Sequence, residues 1–298
     1  MELNLTVTPA TSYIRIKPGS VVSHTVTLEN NALEPLTVSP KILDFSSDGK
    51  SGIPVLSSST AFPYLDIKSI ESQTITLPPQ KRAQLTLRFQ IPENAEEKEF
   101  PLTLLFKSTA LPAPNSESSS NLTGAIGSNI IVLISQDEQL TKTIEVADHG
   151  VPKIVDSYDT LTLTPMVKNT NFAATTMAGK IVVTNMWGKE VVAFPIFPDT
   201  ILGYSTRELR AMRTFFQPDI DPEAVPFAYK KNSIMLGPHT VTISLTQPYT
   251  SENAGEIVAT RSVAFFALPI IPTLALLGIV FSLVMFYFAN KNAKKVDK

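Results

Sequence analysis

Residues 262–290 carry no charged side chain. About 20 consecutive apolar residues are enough to cross a bilayer as a helix, so an uncharged run of this length reads as a membrane span. The core of it, residues 263–289, reads VAFFALPIIPTLALLGIVFSLVMFYFA. Pro269 and Pro272 stand near its start, and proline is tolerated in the first turn of a helix. The expectation is a helix over 269–290, with SVAFFAL before it serving as the last strand of a preceding domain. Phe286, Tyr287 and Phe288 fall at the far end, where an aromatic belt is expected. The tail, 291–298, has four lysines against one aspartate. The positive-inside rule makes that tail cytoplasmic and places residues 1–262 outside. Such a topology needs an export signal. Met1-Glu2-Leu3-Asn4 has neither a basic nor an apolar leader segment, so a signal peptide is presumed removed. Two other arrangements fit the same residues: a tail-anchored protein with a cytoplasmic body, and a buried core helix or apolar hairpin.

The rest of the chain is β-rich. There are 23 prolines against 12 glycines, with frequent Thr, Ser and Val, which suits short strands broken by turns. Residues 83–91, A-Q-L-T-L-R-F-Q-I, alternate cleanly. Residues 3–8 and 13–17 alternate as well, the latter ending at a Pro18-Gly19 turn, and 22–28 read V-x-x-x-V-x-L, a half-buried strand. Residues 36–38, 74–77, 102–106 and 130–134 supply further strands, and Asp48-Gly49 marks a tight turn. About seven strands at this spacing make a sandwich. A second set follows at 153–155, 161–168, 178–184, 191–195, 206–210, 239–246 and 256–267, with a tight turn at Trp187-Gly188-Lys189. The expected class is therefore all-β: two Ig-like β-sandwich domains in tandem, 1–137 and 138–268, followed by one transmembrane α-helix at 269–290 and a basic tail at 291–298. Two stretches break the rhythm. Residues 109–128 are polar and read as a long hairpin loop. Residues 211–232 hold Phe215, Phe216, Phe227 and Tyr229 among three prolines, and read as a loop packed on a surface.

Little in the sequence points to chemistry. The chain has no cysteine, which excludes disulfides, thiolate nucleophiles and Cys-zinc sites. A net charge of −2 argues against nucleic acid as a partner. His24, His149 and His239 are far apart without ligand spacing, and each reads as a surface or turn residue. No nucleophile elbow, Walker loop or dinucleotide fingerprint occurs. The chain is read as a non-enzyme without a cofactor, and no catalytic or metal-binding residue is assigned. Asp219, Asp221 and Glu223 gather three carboxylates of the kind a calcium ion takes, and Asp156 with Asp159 is a lesser case, but neither follows the grammar of a calcium loop. Asn4-Leu5-Thr6 and Asn121-Leu122-Thr123 fit the glycosylation acceptor pattern.

Several segments have a familiar order. IKPGSVVSHTVTLENNALEPLTV, with its Pro18-Gly19 turn, is similar to the opening of exported Ig-like domains. ITLPPQKRAQLTLRFQIPENAEEKEFPLTLLF resembles their second half. Val167 to Phe172, Gly179 to Val183 and the turn at 187–189 resemble the matching parts of a second such domain. With the helix and basic tail, the whole resembles the WxL-interacting family of bacterial surface proteins. At Glu96-Glu97-Lys98-Glu99-Phe100 the chain departs from that family's Gly-Glu-Tyr type of turn. The same turn grammar occurs in other Ig-like modules, periplasmic pilus chaperones included. The resemblance implies a first domain that binds peptidoglycan or a surface partner and a second that binds a host or partner protein. It carries over no binding residue. The expected function is a membrane-anchored binding or scaffold protein of the cell surface, engaging a surface protein or a cell-wall polymer. The alternatives are an accessory subunit of a larger membrane assembly, with Gly278 and Ser282 as a helix-packing pair, and a wall-acting hydrolase.

Overall fold

The structure, a computed structural model, describes residues 4–108, 124–137, 143–213, 224–230, 234–247 and 257–296. The chain is mostly β and ends in one apolar helix. It divides into two units. Unit 1 is Met1–Lys142 with the short segments Asn169–Thr175 and Leu202–Ser205; unit 2 is Thr143–Lys168, Thr176–Ile201 and Thr206–Lys298.

Unit 1 is built from β1 (Leu5–Thr8), β2 (Thr11–Ile16), β3 (Val21–Asn30), β4 (Leu36–Ser47), β5 (Pro54–Leu56), α1 (Ile67–Glu71), β6 (Ile75–Leu77), β7 (Arg82–Gln90), β8 (Lys98–Ser108) and β9 (Ala125–Ile134). One sheet runs β1-β3-β7. The other runs β2-β9-β8-β4-β5, with β6 also on β4. Strands alternate because successive side chains point to opposite faces. Val26 and Leu28 of β3 and Leu85, Leu87 and Phe89 of β7 face inward from the first sheet. Ile42, Leu102, Leu104, Ile130 and Val132 meet them from the second, in one shared core. That is a sandwich.

Unit 2 holds β10 (Ile144–Asp148), β11 (Ile154–Asp156), β12 (Leu161–Leu163), β13 (Met166–Asn169), β14 (Thr175–Asn185), β15 (Glu190–Ile201), β16 (Thr206–Glu208), β17 (Ala211–Met212), β18 (Ala224–Val225), β19 (Phe227–Tyr229), β20 (Gly237–Thr246) and β21 (Ile257–Leu268), then α2 (Ile270–Val296). A seven-stranded sheet, β11-β21-β20-β14-β15-β17-β18, shares its core with β10-β13-β16 and β12-β19.

Three local expectations are corrected. Two strands run past the expected bounds of 102–106 and 191–195: β8 crosses Pro101, and β15 continues through Pro195 and Pro198. Proline removes one ladder donor, and long-range pairing overrides so local a signal. Part of 211–232 is strand rather than loop, and Phe227 is buried against Phe194. Phe215 and Phe216 lie outside the described residues. His239 is a core residue of β20, stacked on Phe265 at 5.3 Å, because it shares the inward parity of Val241, Ile243 and Leu245.

Helix α2 follows β21 after a single residue, Pro269, whose carbonyl accepts from Thr273 N at 3.0 Å. Within it, Ile270–Tyr287 is long and apolar enough to cross a membrane, and none of that window is buried. The helical backbone continues to Val296, past the uncharged run.

Candidate functional site

Strand β7 is the edge of its sheet, and among the described residues no strand pairs with its other side. Two hydrogen bonds set the phase of its ladder with β3. Asn30 N donates to Lys81 O at 3.0 Å, and Ile91 N donates to Ser20 O at 3.0 Å. Opposed residues in an antiparallel pair alternate between bonded and non-bonded, so the odd-numbered residues of β7 bond β3. The even-numbered ones turn their N–H and C=O groups away from it. Gln90 demonstrates this by donating outward to Tyr64 O at 3.0 Å. Thr86 and Arg88 present their backbone groups in the same direction.

The segment before α1 forms the opposite wall. Its anchor is Phe62, only 2% exposed. Phe62 packs edge-on against Phe100 at 5.0 Å, Tyr64 at 5.5 Å and Phe89 at 5.8 Å. Asp44 of β4 accepts from Ala61 N at 3.0 Å. Helix α1 is capped by Asp66, whose carboxylate accepts from Ser69 N at 3.2 Å. Glu71 ties the helix to β4 by accepting from Ile42 N at 3.1 Å. Between this wall and β7 lies a groove of about 580 Å³, lined among others by Tyr64, Asp66, Ile70, Gln73, Thr86 and Arg88. Arg88 makes no ion pair among the described residues. A free strand edge beside a walled groove is suited to an extended chain: its backbone pairs with the edge and its side chains enter the groove.

Other polar clusters have structural explanations. Asp199, buried in β15, takes Arg210 through Nε at 3.0 Å and Nη2 at 2.8 Å, and Arg207 Nη2 at 2.8 Å. Asp48 closes the β4–β5 turn by accepting from Lys50 N, Ser51 N, Gly52 N and the Ser51 hydroxyl. The Ser51 hydrogen bond is the largest cause holding the Asp48 carboxyl well below the usual range; desolvation opposes it, and the backbone N–H groups of Lys50, Gly52 and Ser51 add to it.

Within unit 1, Glu99 is buried and accepts from Gly203 N at 3.0 Å and from Ala174 N. Desolvation pushes its pKa up; the two N–H groups offset part of this. A carboxyl raised in the folded state binds more protons folded than unfolded. Its stabilising contribution is therefore present below the ordinary carboxylate range and lost as pH rises through the raised value. Glu99→Gln should remove this component. As pH rises above the ordinary glutamate range of about 4, the wild type should lose more stability than the variant, as read by denaturant unfolding at each pH. Parallel curves would refute it.

The three histidines stay apart. His24 lies half-buried in β3, where desolvation lowers its pKa. His149 accepts from Arg261 Nε at 3.3 Å, and the buried His239 contacts the Gly237 carbonyl at 3.0 Å. Asp156 accepts from Tyr158 N at 2.9 Å in a turn. Among the described residues no group of three or more potential ligands stands close enough to hold a metal ion. Asp219, Asp221, Glu223 and Asn121 lie outside the described residues. Asn4 is exposed, and Thr6 Oγ1 accepts from Asn31 Nδ2 at 2.8 Å. Sequence reading places Thr86 and Arg88 on the solvent side of a strand. Nothing local marks that strand as an edge, since an edge is defined by the absence of a distant partner.

Neither a protein-family model nor a curated protein matches the chain. Solved structures do. A class 5 fimbriae chaperone, CfaA, is 13% identical, with 85% of this chain and 97% of that one covered and a TM-score of 0.45. The E. coli chaperone DraB is 12% identical, with 89% and 98% covered and a TM-score of 0.41. A PapD-like domain of human CEP192 is 11% identical, with 46% and 88% covered and a TM-score of 0.31. Likenesses this distant transfer neither a residue role nor a partner to this chain.

Proposed function

We propose that this is a non-catalytic binding or scaffold protein of the cell surface. In this reading α2 crosses the bilayer once, the two Ig-like units lie outside, the tail is cytoplasmic, and the relatives are surface proteins of the WxL-interacting type. Unit 1 takes an extended segment of a partner protein along β7, with an acidic residue opposite Arg88. The observation that carries this reading is the free β7 edge facing a walled groove. Backbone pairing would supply affinity, and the cross-strand charge pair would supply selectivity.

The test uses the full chain in lipid nanodiscs against an array of extended peptides. Peptides with a central Asp or Glu should bind. Thr86→Pro removes an N–H that faces the groove and makes no ladder bond to β3, a position where an edge strand tolerates proline. Binding should weaken about tenfold or more, roughly 1.4 kcal/mol. Arg88→Glu should shift preference from acidic to basic peptides. Binding indifferent to both changes moves the site elsewhere, and binding of wall polymer instead of peptide replaces the partner.

A further inference from the structure

The end of unit 2 from which α2 departs carries large apolar side chains that the fold leaves uncovered. Register shows that they share one level. Asn185 of β14 opposes His239 of β20, which opposes Phe265 of β21; two residues on, Gly237 opposes Ala267. The β14–β15 turn, starting at Met186, therefore reaches the level at which β21 ends. Met186 confirms the placement, because its methyl group occupies the space where a Cβ on Gly237 would stand. Trp187, at the tip, is 79% exposed. The turn is rigid: Asn185 Oδ1 accepts from Trp187 N at 3.1 Å and Lys189 N at 3.0 Å, and Gly188 takes a φ of 73°.

From the other side, Asp156 of β11 pairs in parallel with Leu268. Ser157 N donates to Leu268 O at 2.8 Å, so Tyr158, 60% exposed, lies beside the start of α2. Leu236, just before Gly237, is also exposed.

We infer that this end of unit 2 is a membrane-contact surface, with Trp187 and Tyr158 seated in the interfacial layer of the bilayer that α2 crosses. The inference rests on the reading of α2 as the anchor. Its occupant follows from continuity: Pro269 alone separates β21 from the apolar window that begins at Ile270. Each residue of strand rises about 3.3 Å, and the headgroup layer on each side of the hydrocarbon is roughly 5–8 Å thick. Residues within about two positions of Pro269 therefore reach that layer. Trp and Tyr, each with an apolar body and a polar tip, are the side chains that settle there. Exposed apolar side chains at the level where the span begins are explained by lipid without a further protein partner.

Trp187 is the sole tryptophan of the chain, so its emission reports this turn alone. The full chain would be reconstituted into phosphatidylcholine vesicles, floated on a density gradient and probed with two quenchers. The expected result is flotation, with lipid brominated near the headgroup removing most of the Trp187 emission and aqueous iodide removing little. Flotation with iodide quenching alone leaves the anchor standing and overturns the docking. Flotation with neither quencher effective means protein covers Trp187, which also overturns it. Failure to float overturns both readings.

Discussion

Phe62→Ala is expected to destabilise unit 1 by about 3–5 kcal/mol, the range for truncating a buried aromatic. It should also disable the groove. Phe62 sits on a segment with no strand or helix of its own, and its ring touches Tyr64, Phe89 and Phe100. Truncation removes the centre of that cluster and leaves a cavity, because neighbouring strands close over a void only partially. The wall that faces β7 then loses its fixed position, since Tyr64 follows Phe62 by two residues and supplies the carbonyl that meets Gln90. For a unit of this size the thermal transition should fall by roughly 10 °C, and peptide binding should be lost at temperatures where the variant is still folded. Phe62→Leu, which keeps most of the buried volume, should retain most of both. A shift of less than about 3 °C for the alanine variant would show that the cluster does not hold the segment.

The local grammar of this fold is legible in the sequence; its neighbourhood relations are not. The alternation over 83–91 identifies β7 and separates Leu85, Leu87 and Phe89 from Thr86 and Arg88, because a period of two is imposed by the backbone itself. The Trp187-Gly188-Lys189 turn is equally local. His239 was within reach of the same argument, since its parity with Val241, Ile243 and Leu245 places it inside; its polarity obscured that. The free side of β7 is another matter. It depends on which strand is missing, and on a wall contributed by Phe62 and α1, neither of which leaves a trace in the strand's own residues. Helix α1 is one turn long, too short for periodicity to signal it. The apolar run near the C-terminus is visible from charge alone, whereas the level that Trp187 and Tyr158 share with its start emerges only from the register of β11, β14, β20 and β21.

The Asp199 cluster belongs to the illegible part, and it yields the second large effect. One buried carboxylate, 7% exposed, holds two guanidinium groups. The two arginines are unequal: the Arg207 side chain is 14% exposed and the Arg210 side chain 42%. Replacing Asp199 by Ala strands the Arg207 charge in a site that water barely reaches, although Arg207 Nη1 keeps its bond to Thr200 O at 2.8 Å. Removing one partner of a buried pair costs about 3–5 kcal/mol, most of it from the uncompensated charge that remains. Arg210, nearer to solvent and stacked over Phe197 at 5.4 Å, can rehydrate. Arg210→Ala should therefore cost only about 1 kcal/mol. The combination decides the mechanism. If the loss in Asp199→Ala is a stranded Arg207, then Asp199→Ala with Arg207→Met should recover a large part of it in denaturant unfolding, because a well-packed apolar side chain replaces a buried charge with little loss. A double variant no more stable than Asp199→Ala would place the energy in the hydrogen-bond geometry that links β15 to β16 instead.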